Sequence, residues 1–154
     1  MSGNPEGLVK AGAALLAVAA GGKVVQSVHD HVALSSHDRI VKKTAERLEE
    51  RTVSDATVKV DHIPNVGDGR PREMNGKRPD ITLTHFSSSS FYAFEVETAD
   101  SLDSQAKKQL EAFAEVRNYE CVLVVPERTL RTGKEFVQNT VNADVTVTTP
   151  YEVL

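Results

Sequence analysis

A chain of 154 residues, 40% apolar and 26% charged, is long enough to bury the core of one domain and has an ordinary globular balance. Its formal net charge of -4 excludes a protein that coats nucleic acid by bulk positive charge, while leaving room for a local basic patch. The single cysteine, Cys121, excludes an intrachain disulfide framework and a cysteine-built zinc site, and it suits a reducing, cytoplasmic setting.

The first element is the run AGAALLAVAAGG, residues 11–22, which is apolar but far short of the roughly 20 residues a membrane-spanning helix needs. Glu6 before it and a thin basic flank count against a secretory signal. Residues 1–33 therefore read as an Ala-rich helical extension that packs on the body or on a second subunit, which would make a homodimer. Membrane contact through this helix is the less favoured alternative.

Residues 34–154 read as one domain. In SSHDRIVKKTAERLEERT a Ser/Asp capping cluster precedes Ile40, Val41, Thr44 and Leu48 on one face, predicting an amphipathic helix over 37–51. TVKVDHI alternates as a strand, and PNVGDGRPREMNGKRP, rich in Pro, Gly and Asn, is a loop. DITLTH and FYAFEVET follow as strands joined by a serine-rich turn. A second helix starts at Ser101 or Asp103, with Ala106, Leu110 and Phe113 on one side. YECVLVVP is apolar without alternation, as expected of a strand covered on both faces inside a sheet. The tail reads as a short helix and a strand at Asp144–Thr148. The order helix, three strands, helix, strand and an αβ tail predicts an α/β fold with a mixed sheet.

Three carboxylates stand out within the hairpin KRPDITLTHFSSSSFYAFEVET. Alternation places Tyr92, Phe94 and Val96 on one face and Ala93, Glu95 and Glu97 on the other. For the apolar residues of the two strands to meet, His85 can pair with Ser90, and that register sets Asp80 opposite Glu95 with Glu97 on the diagonal. Opposed side chains have Cβ atoms about 5 Å apart, where like charges destabilise a sheet. No basic residue shares this face, so a divalent cation with oxygen ligands is the natural counter-charge. The bland alternative is a solvated hairpin face.

RPD followed after one hairpin by EVE, in an αβββαβ order, resembles the PD-(D/E)xK nuclease superfamily with its restriction-endonuclease-like fold, over roughly Asp38 to Pro126. The resemblance implies a mixed central sheet flanked by helices. It also implies Mg²⁺ (or Mn²⁺) held by Asp80, Glu95 and the backbone carbonyl of Val96. The motif's third position, usually Lys, is here Glu97, which would act as a further ligand or as a proton acceptor; Lys107 and Lys108 are poor substitutes for the lysine. Gln109, in QLEAF, resembles the glutamine motif of the exonuclease-like branch, and Glu49 is the better placed of the first-helix acids to join the metal. His37, on that helix's apolar face, reads as a core or capping histidine.

The implied activity is metal-dependent hydrolysis of phosphodiester bonds. Arg70, Arg72, Lys77 and Arg78, just before Asp80, would hold the phosphate backbone without reading sequence. Aromatic residues make up only 5% of the chain and tryptophan is absent, so single-strand stacking is poorly supported and DNA, duplex or branched, is preferred over RNA. Two alternatives stand beside this: an inactive nucleic-acid-binding or assembly module on the same fold, and a membrane-associated or oligomeric structural protein built on residues 8–28.

Overall fold

The Ser35 side chain accepts the Asp38 N–H at 3.0 Å and so satisfies one of the unpaired donors of the first helical turn. Helix α1, Ser36–Arg51, follows and buries Val41, Thr44, Ala45 and Leu48. Thr44 is tolerated there because its hydroxyl donates to the Ile40 carbonyl at 2.8 Å. The computed structural model describes residues 34–52 and 54–154. The extension expected over 1–33, with the dimer and membrane contacts assigned to it, lies outside the described residues.

Strands β1 (Ala56–Val60), β2 (Ile81–His85) and β3 (Ser90–Val96) form an antiparallel meander. Helix α2 (Ser104–Ala114), capped by the Asp103 carboxylate on the Gln105 and Ala106 N–H groups, leads to β4 (Tyr119–Val124). Helix α3 (Leu130–Thr140) then leads to β5 (Thr146–Thr148). The sheet order is β1-β2-β3-β4-β5, with β4 parallel to β3 and β5 parallel to β4. Parallel neighbours need a crossover, and α2 and α3 provide it. The result is an α/β domain, a five-stranded mixed sheet flanked by three helices.

Each sheet face has its own core. Val41, Ala45 and Leu48 of α1 pack on Val58, Ile81, Leu83, Phe94, Val96 and Val124. On the opposite face Leu110 and Phe113 of α2, with residues of α3, pack on Ala93, Cys121 and Leu123. The face that carries Glu95 is therefore not a solvated hairpin surface, because α2 lies over it. The β2–β3 register is the expected one: His85 pairs with Ser90 and Ile81 with Phe94.

The segment between β1 and β2 is a loop, as expected, but a closely attached one. Gly69 accepts the Val60 N–H at 2.8 Å, and Asp68 both donates to the Val58 carbonyl at 2.6 Å and accepts the Val58 N–H at 3.2 Å. The loop thereby covers the open edge of β1. Met74 is buried in the α2-side core, and the Asn75 side chain donates to the Ala112 carbonyl at 2.9 Å. Among the described residues no helix is long and apolar enough to cross a membrane.

Gly67 is the residue that lets the loop lie down on β1. Its φ is +74°, and a Cβ there would stand 2.8 Å from the Val58 carbonyl oxygen. Gly67→Ala is expected to destabilise the domain by about 2 kcal/mol or more, read as a lower denaturation midpoint; an unchanged midpoint would mean that the loop does not depend on this contact.

Candidate active site

The end of the sheet where β1 and β3 finish and β2 begins carries a row of acids. The ladder continues past Val60 and Ile81, since the Asp61 N–H donates to the Asp80 carbonyl at 2.8 Å, so Asp61 opposes Asp80. On its other side Asp80 falls opposite Glu95 in the β2–β3 register. Glu97, two residues on, donates its N–H to the Val124 carbonyl at 2.9 Å. Asp61, Glu95 and Glu97 are buried, and the Asp80 side chain is 14% exposed.

Counter-charge and hydrogen bonds reach this row from other elements. Asp80 Oδ2 accepts the Val96 N–H at 2.8 Å, just past the last β2–β3 pair, which ties the start of β2 to the end of β3. The same oxygen accepts from His37 Nε2 of α1 at 3.3 Å, and His37 Nδ1 faces Asp38 Oδ1 at 3.4 Å. The hydrogen bond to Asp80 is the main reason the imidazole is pushed up to about 9, with burial opposing it. His37 is thus neither a core residue nor a cap; it is the cation that meets Asp80 in this structure.

Glu95 is the least satisfied member. Gln109 Nε2, from α2, donates to its Oε1, while Oε2 is buried with no hydrogen-bond partner among the described residues. Burial first, and then the charges of Asp80 and Glu97, push its carboxyl well above the usual carboxylate range. Glu97 is also pushed up, by burial foremost, with the Ser101 hydroxyl opposing. Cys121 shares this face but is inert: its thiol is directed at the Leu110 carbonyl at 3.6 Å, and burial raises it to about 12.

The structure brings together Asp80, Glu95, Val96, Glu97 and Gln109. It leaves Glu49 apart: that residue is exposed near the far end of α1, about three turns from His37, so it is the helix start that meets the acids. The basic loop residues are dispersed. Arg70 pairs through Nε with Asp61. Arg78 donates to the Pro71 carbonyl at 2.8 Å and to Glu73 at 2.9 Å. Arg72 lies over the Tyr119 ring at 5.8 Å, and Tyr119 pairs with Phe91 at the opposite end of β3. Lys77 is exposed in the turn that bridges to Met74. Asp61 and His37 were not legible as site residues, although the alternation of Lys59 and Asp61 in TVKVDHI was the available signal for Asp61. Two surface depressions, one lined by Glu111, Glu115 and Asp144 and one by Lys43, Arg47 and Tyr151, share no residue with the row.

The donors present are hard oxygens, a set that suits Mg²⁺ or Mn²⁺. Among the described residues no three His, Cys, Asp or Glu side chains converge as a ready-made ligand group. Mg²⁺ is commonly held by one or two carboxylates with carbonyl, water and phosphate oxygens completing its shell. Oε2 of Glu95, opposite Asp80 in the β2–β3 register and without a partner among the described residues, fits that smaller requirement. No family model matches the chain, and no curated protein or solved structure matches it either.

The raised groups share one sign. His37, Glu95 and Glu97 each contribute stability that is complete below the unfolded-state value and is lost as pH rises through the folded-state value. Without divalent ions, stability should fall between about pH 6.5 and 9, more shallowly in His37→Ala. Glu95→Gln should stabilise the ion-free protein by about 1–2 kcal/mol near pH 8 and by less near pH 5. Urea denaturation across this range checks both, and a Glu95→Gln protein weaker than wild type near pH 8 would contradict the assignment.

Proposed function

We propose that the domain is a metal-dependent nuclease acting on duplex or branched DNA, on a restriction-endonuclease-like core. The observation that carries this reading is the pairing of Asp80 at the start of β2 with Glu95 at the end of β3, the latter holding a buried oxygen that has no hydrogen-bond partner among the described residues. The element order α1-β1-β2-β3-α2-β4 and the parallel β3–β4 pair agree with the resemblance in RPD and EVE. The row also lies at the carboxyl ends of the parallel strands, where open α/β sheets bind ligands.

In this reading Asp80, Glu95 and the Val96 carbonyl would hold Mg²⁺ or Mn²⁺. Such an ion, when bound, polarises a phosphate and acidifies a water. Gln109 fixes the Glu95 carboxylate and His37 fixes that of Asp80, as outer hydrogen bonds commonly do around ligating carboxylates. Glu97, whose carboxyl burial pushes above the usual carboxylate range, would be the proton acceptor in place of the family's lysine. The His37–Asp80 pair favours one rival: a cation that already answers Asp80 is what an inactive nucleic-acid-binding or assembly module on the same fold would keep.

The test is cleavage of plasmid, linear duplex, single strand and a four-way junction with Mg²⁺, Mn²⁺ or EDTA. Cutting of duplex or junction that needs the ion is expected. Asp80→Ala should reduce it to background, and Gln109→Ala should slow it about 10- to 100-fold. Cutting that survives EDTA or Asp80→Ala would contradict the proposal, and DNA binding without cutting would favour the inactive module.

A further inference from the structure

With Glu97 at the position where the family has lysine, three basic side chains from outside the strands, His37, His62 and Arg70, meet the acid row. His37 engages both ring nitrogens, one with Asp80 and one with Asp38. Arg70 is arranged differently. Its Nε alone is engaged, by Asp61, and among the described residues its two terminal nitrogens make no hydrogen bond; the side chain is 57% exposed. A guanidinium held by one edge keeps the other edge as a planar fork, the shape that grips a phosphate through two parallel hydrogen bonds.

The anchor is firm. Asp61 is 6% exposed, directly opposite Asp80, and its second oxygen pairs with His62 Nε2 at 2.6 Å. The residue before Arg70 is tied down too, since Gly69 accepts the Val60 N–H. An ion pair with only one buried partner is weak evidence for stability, but this one fixes where a cation stands. The other basic loop residues do not fill that place: Arg78 braces the loop on Pro71 and Glu73, and Arg72 rests on Tyr119.

We propose that Arg70 contacts a backbone phosphate of the nucleic acid beside the acid row, and that Asp61 is the positioning residue that holds it there. This rests on the nuclease reading above. Arg70 supplies from a loop the positive charge that Glu97 does not supply from the strand. Asp61, although an acid of the row, is occupied by Arg70 and His62 and stands outside the ion-holding set.

The test measures binding of a fluorescent duplex to the full chain in Ca²⁺ over a range of salt, beside cleavage rates in Mg²⁺. Loss of one phosphate contact lowers the slope of log affinity against log salt by about 0.9. Arg70→Ala should show that loss and bind about tenfold more weakly near 0.1 M salt. Arg70→Ala leaves a buried Asp61 without its partner, so the double variant Asp61→Asn/Arg70→Gln, which buries no unpaired charge, should show the same change of slope in a folded protein. Asp61→Asn alone keeps the Arg70 charge and should retain the slope while cleavage falls. If wild type binds and cuts DNA but both Arg70 variants keep its slope and affinity, this proposal is overturned and the nuclease reading stands. If wild type neither binds nor cuts, both are overturned.

Discussion

Like charges on neighbouring strands of a sheet repel across about 5 Å, and the β2–β3 register leaves this protein no way to avoid that contact. The apolar residues Ile81, Leu83, Phe94 and Val96 must all face α1, because their side chains make up the core beneath it. A slip of one residue would turn the whole set to the other face. Asp80 is then fixed opposite Glu95 by the packing of residues that have no chemistry of their own. The acid row follows from the core, and everything else at the site is arranged around it.

Three neighbouring elements respond to that constraint. Helix α1 brings His37 to Asp80, α2 brings Gln109 to Glu95, and the loop before β2 brings Arg70 to Asp61. Each contact comes from a different layer of the domain, so the row also joins the two cores at one end of the sheet. The response is incomplete at Glu95 Oε2, which is buried without a partner among the described residues. An unsatisfied buried carboxylate oxygen costs about 1–3 kcal/mol, so it marks the point where an external cation would gain most.

The hairpin was legible in the sequence because strand alternation has a short period and both strands are local. Pairing of His85 with Ser90 follows from four apolar residues and a turn length. The unbroken apolar run of β4 likewise announced a strand covered on both faces. What could not be read were contacts set by distant packing. Helical angle puts His37 on the apolar face of α1 and Glu49 at its margin, where it is exposed, but angle says nothing about which end of a helix lies over the acid row. That end is the start, so His37 meets Asp80 and Glu49 does not. Asp61 was hidden for a related reason: its place depends on the β1–β2 register, which spans a long loop. The loop's own course also disperses the four basic residues that cluster in sequence, leaving only Arg70 beside the acids.

Whether Asp80 and Glu95 form a divalent-cation site, as proposed, is decided by calorimetric titration of Mn²⁺ into the intact protein. One saturable ion per chain is expected, lost in Asp80→Asn and in Glu95→Gln while both variants remain folded. Absence of saturable binding in the wild-type protein, or binding unchanged by either substitution, would contradict it.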